Sequence, residues 1–345
     1  MPGPTQRAIG STGLTVDTLG LGCGPLGNLF RAISNEDAAA LLDVALYEGF
    51  RFFDTAPHYG QGLSERRVGD ALRRARGAGY VLSTKVGRLL KRAGYAHDRH
   101  GFLSPMPFDI EYDYSYDGVM RSVEDSYQRL GLDRIDILYL HDIGAFTHGE
   151  ANEHHFPIAM EGGYRALDEL RRSGEVAAIG LGVNECEVCE AALDHGDWDV
   201  FLLAGRYTLL EQGALDTLLP KCIDRNCSIV VGAPYNSGIL AAGVRGDGHY
   251  QYEAPPESVK EKVARIEAVC EDFAVPLAAA ALQFPLAHPA VVSVMPGTSK
   301  IRHLNEMRRL MRNPIPADFW QALRQEGLVR EDAPVPPGAE ESEDA

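Results

Sequence analysis

The chain has 345 residues, enough for one large α/β barrel or for two ordinary domains. Its 45% hydrophobic and 24% charged content is that of a globular protein with a sizeable core, and no apolar run is long enough to span a bilayer. A formal net charge of −16 argues against nucleic acid or an anionic membrane surface as the main partner.

Residues 7–16 read as a short hairpin turning at Ser11-Thr-Gly13. Strands are predicted at 18–23, 51–54, 80–85, 135–141, 177–183, 199–204, 228–233 and 291–295, most of them short runs rich in Val, Ile and Leu, as parallel strands buried on both faces should be. Helices alternate with them. Ser34 reads as a cap with Asp37 three residues on, before a helix over 38–48. Ser64 reads as the cap of a helix running to Arg74. Further helices are predicted over 117–130, 163–172, 186–195, 213–225, 257–274 and 301–311. Eight strands alternating with helices predict an α/β fold of the (β/α)8 TIM-barrel class, with active groups at the strand C-termini. An open doubly wound sheet is disfavoured, because no Gly-x-Gly-x-x-Gly opens a helix after the first strand.

Three connections are long: 87–116, 143–162 and 234–256. Loops of that length in a compact domain are more often lids than spacers. Phe102, Phe108, Tyr112, Tyr114 and Tyr116 in the first are read as a pocket wall. The division expected is one barrel domain over 1–328 and an acidic, disordered tail over 329–345, where six acids and one arginine mix with prolines in 330–345. The N-terminus lacks a basic start followed by an apolar core, and six scattered cysteines suit a reducing cytosol. Cys186 and Cys189 have no second pair, so no metal site is expected. Trp198 and Trp320 read as packing anchors, and His97, His100, His154 and His155 as polar loop residues. Oligomeric state is left open.

The chemistry concentrates in residues 50–69. A strand ends in Asp54, and a loop stiffened by Pro57 and Gly60 holds Tyr59. Two further strands end in Lys85 and His141. A phenol titrates near ~10 when unperturbed, an ammonium beside it stabilises the phenolate, and a carboxylate keeps the ammonium charged. Tyr59, Lys85 and Asp54 fit those roles, with His141 donating to a substrate oxygen. Singly, each of these residues has an ordinary structural reading; the conjunction carries the case.

These four residues make the tetrad of the aldo-keto reductases, and residues 7–312 resemble that family. Tyr114-Ser-Tyr-Asp-Gly118, Leu140-His-Asp142 and Ala204-Gly-Arg-Tyr207 resemble its bacterial aldose, L-fucose and pyridoxal dehydrogenase branch. The resemblance implies hydride transfer to or from a nicotinamide cofactor. It places Asn184 on the carboxamide, Tyr207 under the nicotinamide ring, and Ala233, Pro234, Asn236, Ser237 and Gly238 along the pyrophosphate. Gly297, Thr298, Ser299, Arg302, His303 and Glu306 fall at the adenosine end. The NADP pattern has lysine where Gly297 stands and arginine where His303 stands, so NAD is the expected cofactor; Lys300 and Arg302 keep NADP as the alternative. The expected reaction is oxidation of an aldose at C1 to its lactone, with pyridoxal oxidation or general carbonyl reduction as alternatives. A Schiff-base aldolase using Lys85 and a nicotinamide-binding regulatory subunit are the readings from other classes.

Overall fold

The computed structural model describes residues 5–75, 77–94 and 98–338. The strands are β1 (Gln6–Ala8), β2 (Thr15–Asp17), β3 (Leu21–Gly22), β4 (Phe52–Asp54), β5 (Val81–Val86), β6 (Arg88–Arg92), β7 (Phe108–Tyr112), β8 (Ile137–His141), β9 (Ala178–Val183), β10 (Val200–Ala204), β11 (Ser228–Gly232) and β12 (Val291–Met295). The helices are α1 (Asn35–Tyr47), α2 (Leu63–Arg74), α3 (Tyr116–Leu130), α4 (Ala145–His148), α5 (Asn152–Ile158), α6 (Tyr164–Ser173), α7 (Cys186–Ala192), α8 (Leu218–Asp224), α9 (Ile239–Ala242), α10 (Glu257–Asp272), α11 (Leu277–Gln283), α12 (Ile301–Met311) and α13 (Ala317–Gln325).

Eight strands pair in parallel in the order β3-β4-β5-β8-β9-β10-β11-β12. Parallel bridges from Leu19 to Val294 and from Gly22 to Gly297 bring the two edges together, so the sheet closes as a (β/α)8 barrel. All eight expected strands are present. One apolar cluster fills the barrel interior, built from Phe52, Ile137, Tyr139, Ala178, Val200, Leu202, Val230, Val292 and Met295. The β1–β2 hairpin caps it from the N-terminal end with Ile9 and Val16, both fully buried. A second, larger cluster lies between the sheet and the helices.

The helices follow the apolar periodicity with shifted ends. Ser34 caps α1 as expected, its side chain accepting from the Asp37 amide. Ser64 does not cap α2. Gly62 takes that position in a left-handed conformation, and the Ser64 hydroxyl points inward, donating to the Cys23 carbonyl at 2.7 Å and meeting Thr55 Oγ1 at 2.9 Å.

The long connections are structured. Connection 87–116 contains the antiparallel pair β6–β7, Arg88 opposite Tyr112 and Arg92 opposite Phe108. Connection 143–162 is almost wholly helical, and 234–256 includes α9. The start of the tail is packed rather than disordered: Val329 and Ala333 are buried, the Arg330 amide donates to Gln212 Oε1 at 2.8 Å, and Arg324 holds the Ala333 carbonyl at 2.7 Å. The more acidic stretch 339–345 lies outside the described residues, as does His97. No single helix among the described residues is long and apolar enough to cross a membrane.

Candidate active site

Barrel strands deliver the reactive groups to one end of the molecule. β4 ends in Asp54, β5 carries Lys85 next to its end, and β8 ends in His141. Neighbouring parallel strands place these Cα atoms at similar heights, since Asp54 pairs with Ser83 and Lys85 with Tyr139. Tyr59 comes from the turn between β4 and α2. The Lys85 stem crosses the face of β9 where Gly182 stands; a Cβ there would lie 3.1 Å from the Lys85 Cε and 3.2 Å from its Cδ, so a side chain would displace the amine.

Lys85 Nζ donates to Asp54 Oδ2 at 2.6 Å, to the Thr55 carbonyl at 3.0 Å and to the Tyr59 hydroxyl at 2.9 Å. Ser83 Oγ donates to the other Asp54 oxygen at 2.8 Å. Asp54 and Lys85 are almost fully buried, so this ion pair is shielded from solvent and has its hydrogen bonds made. His141 presents its ring to Tyr59, with centroids 6.1 Å apart and planes at 89°. The structure thus brings the four expected residues into one cluster.

Burial pushes the Tyr59 phenol well above its ordinary value of 10.0; the Asp54 and Asp142 carboxylates push it further, and the Arg88 cation opposes them. A low-pKa phenol was the expectation. Enclosure of the hydroxyl outweighs the neighbouring cations, and the group rests as a protonated donor. Burial raises Asp54 as well, with Lys85 opposing. Burial also holds His141 well below 6.5, helped by Arg88, Lys85 and His58. His58 is lowered for the same reason, with Arg88, His100 and Lys85 contributing. Both imidazoles are neutral at physiological pH.

Several site residues carried no sequence signal of their own. Arg88, at the start of β6, is buried and donates to Asp142 Oδ2 at 2.5 Å. His58 meets His100, Phe102 and His141 at centroid distances of 5.4, 5.2 and 5.8 Å. Of the aromatic residues expected to wall the pocket, Phe102 faces the reactive groups, 6.2 Å from the Tyr59 ring. Tyr112 and Tyr114 instead pack with His148 and His155 of the neighbouring helices, where the Tyr114 hydroxyl donates to the His141 carbonyl at 2.8 Å. His155, expected to be a polar loop residue, instead packs its ring against Tyr112, Tyr114 and His148. Phe108 lies on the lid strand β7, and the Tyr116 hydroxyl reaches Glu169 at the surface. Neither Asp142 nor Arg88 was singled out from the sequence; the signal available was position, Asp142 directly after His141 and Arg88 three residues after Lys85.

Beside the cluster, a narrow cleft is lined by Phe146, Asn184, Arg206, Asn236, Ser237 and Tyr252. A second, half-open hollow sits at the opposite end of the barrel around Asp17 and Arg308 and contains none of the reactive groups. Asn184 is oriented by three contacts: its Nδ2 donates to Asp142 Oδ1 at 3.1 Å, its carbonyl accepts from Arg206 at 2.5 Å, and Tyr252 approaches its Oδ1 at 3.5 Å. Ala233, Asn236, Ser237 and Gly238 all have positive φ, and the turn closes on itself, the Asn236 amide donating to the Ala233 carbonyl and the Gly238 amide to the Tyr235 carbonyl, both at 2.9 Å. Asn236 locks that turn by donating to the Gly205 carbonyl and accepting from Thr208. Pro234 is buried in the same turn.

Next along the barrel, Thr298 is buried against His303, with Ser299 half-buried and Arg302 and Glu306 exposed. Gly297 is pinned by the barrel closure: a Cβ would stand 2.9 Å from the Pro25 ring and 3.0 Å from the Gly22 carbonyl. Tyr207 does not face the cleft. It is fully buried behind β10, packed on Phe284 and His288, and this corrects its expected place beneath a nicotinamide. The amide at Asn184, the 233–238 turn beside it and the adjoining groove otherwise fit a nicotinamide dinucleotide. Lys85, with three partners, is poorly placed to act as a free amine nucleophile. No cluster of metal-ligating side chains occurs among the described residues.

A family model described as aldo/keto reductase matches residues 18–326. A pyridoxal 4-dehydrogenase of Microbacterium luteolum is 44% identical over 335 residues, spanning 94% of this chain and 98% of its own. A D-threo-aldose 1-dehydrogenase of a Pseudomonas species is 39% identical over 331 residues, with the same two coverages. Among solved structures, an aldo-keto reductase of Bacillus halodurans superposes with a TM-score of 0.70 at 24% identity, covering 95% of this chain and 97% of that one, which bears on the fold alone.

Proposed function

The chain belongs to the aldo/keto reductase family, and on that premise we propose that it oxidises a cyclic hemiacetal to a lactone with NAD, Tyr59 acting as general acid and base. The observation that carries this is the buried Asp54–Lys85–Tyr59 chain, with 2.6 and 2.9 Å links, beside neutral His141. Aldoses close to hemiacetals, and pyridoxal, with its formyl and hydroxymethyl groups on adjacent ring carbons, does the same. The two relatives named for those substrates thus act on one chemical class. An aldose remains the first reading. Pyridoxal is the second, favoured by the aromatic wall of His58, His100 and Phe102.

In the oxidative direction, Tyr59 takes the proton of the hemiacetal hydroxyl while His141 orients that oxygen. The nicotinamide cofactor supplies the hydride acceptor. Lys85 stabilises the phenolate that accepts this proton, and Asp54 keeps the amine charged and aimed. Asn184 would hold the carboxamide and the 233–238 turn the pyrophosphate. Gly297 brings no cation to a 2′-phosphate, and Glu306 suits free ribose hydroxyls, which supports NAD over NADP.

Initial rates with L-fucose, D-arabinose, L-galactose and pyridoxal, each with NAD and with NADP, test the reading through reduced-cofactor absorbance and lactone in the product. A higher kcat/KM with NAD and lactone from at least one hemiacetal are expected. Turnover only of open-chain aldehydes, by reduction, would overturn the proposed direction and substrate class.

A further inference from the structure

Asp142 follows His141 directly and has an unusual backbone. Its φ is +48°, a left-handed conformation that a non-glycine residue adopts at a cost, held here by its amide donating to the Gly182 carbonyl at 2.9 Å. That twist turns the carboxylate back over the end of the barrel, where three groups converge on it. Arg88 Nη2 of the lid hairpin lies 2.5 Å from Oδ2, Asn184 Nδ2 of the cofactor cleft 3.1 Å from Oδ1, and His141 Nε2 3.4 Å from Oδ2.

Each contact has a consequence for orientation. An amide that donates its NH2 to Oδ1 must present its own Oδ1 elsewhere, and that oxygen borders the cleft near Tyr252. A neutral imidazole with a carboxylate beside Nε2 keeps its one proton there, consistent with a buried Nδ1 that has no partner. The Arg88 guanidinium, 3% exposed, balances the charge and ties the same carboxylate to the first residue of β6.

We infer that Asp142 is a positioning residue for both halves of the reaction: one carboxylate, compensated by Arg88, sets which end of the Asn184 amide meets the nicotinamide carboxamide and which nitrogen of His141 carries the proton. This rests on the nicotinamide-dependent reading above. Asp142 does not exchange a proton with substrate; it acts through Asn184 and His141, and its charge bears on Tyr59. The charged and titratable groups around Tyr59 come from every neighbouring element: Cys23 beyond β3, Asp54 of β4, His58 in its own turn, Lys85 of β5, Arg88 of β6, His141 and Asp142 at β8, and Tyr252 after β11. Asp142 raises the phenol and Arg88 lowers it.

Two variants separate orientation from charge. Asp142→Ala removes the acceptor for Asn184, so affinity for the preferred cofactor, NAD or NADP, should fall about tenfold, the loss of one charge-assisted hydrogen bond. Affinity for ADP-ribose, which lacks the nicotinamide, should not change. Asp142→Asn keeps an acceptor but drops the charge. Its ratio of NAD(P) to ADP-ribose affinity should stay near wild type, while the acid limb of the oxidation pH profile moves to lower pH. Arg88→Met should move that limb the other way. Calorimetric titration and pH–rate profiles read both effects. Equal losses of NAD(P) and ADP-ribose binding in Asp142→Ala, or an unshifted limb in Asp142→Asn, would overturn the inference alone. A wild-type protein that binds neither NAD nor NADP would overturn the functional reading with it.

Discussion

At the residue scale, the phenol at 59 sits where burial and charge pull against each other. Enclosure favours the protonated form, and Lys85 at 2.9 Å stabilises the anion against that background. The sign for activity follows. Oxidation needs the phenolate, so its rate should still be rising with pH near 10, whereas reduction, which uses the phenol, should stay level from pH 7 to 9. Neutral His58 and His141 lie well below 6.5 and should add no inflection between pH 6.5 and 8. A pH–rate profile for oxidation that is flat between 7 and 10 would contradict this. Tyr59→Phe should lower kcat by ~10²-fold or more, the ordinary share of a general acid or base, with cofactor affinity nearly unchanged. Retained turnover would move the proton transfer to another group. The tetrad was legible in the sequence because each member ends, or closely follows, a strand whose apolar run is itself visible. Tyr207 was misplaced for the converse reason: an aromatic ring three residues past a strand end can turn into the barrel mouth or back under a helix, and residue type does not distinguish the two.

At the element scale, the barrel strands and main helices were readable because burial on both faces of a parallel sheet leaves an unbroken apolar run, and helices leave a 3.6-residue period. Elements whose burial depends on distant partners were not. Strands β6 and β7 are short, partly exposed and separated by a long segment, so only their pairing defines them. The start of α2 shows the same limit. Ser64 has the chemistry of a cap, yet it and Glu65 both point inward. Glu65, fully buried, accepts from Thr84 of β5 at 2.8 Å and from Arg129 of α3 at 2.5 Å, so one carboxylate ties a strand and two helices. Removing it strands a largely buried guanidinium. Glu65→Ala should therefore cost about 3 kcal/mol of unfolding free energy in urea, and a Glu65→Met, Arg129→Met double variant should recover part of it. A loss below ~1 kcal/mol in the single variant would show that the pair carries little.

At the scale of the whole molecule, the C-terminal segment decides where the folded unit ends. Composition marks 329–345 as a solubilising tail, because proline and acid dominate the average. The average hides Val329 and Ala333, two small apolar residues that the chain folds back to bury. Gln212 joins this return from the barrel side, donating to the Leu328 carbonyl at 3.2 Å and accepting from the Arg330 amide at 2.8 Å, while Arg330 pairs with Asp216 and Asp332. Those ion pairs are solvent-exposed and contribute little. Burial of the valine and the backbone bonds carry the attachment, worth roughly 2–3 kcal/mol together. Truncation after Gly338 should leave the thermal midpoint unchanged. Truncation after Leu328 should lower it and also lose the partner of the Gln212 carbonyl oxygen. The lost segment touches none of the reactive groups, so cofactor affinity at a temperature where both proteins are folded should match the full chain. Equal midpoints for the two truncations would return the boundary to residue 328.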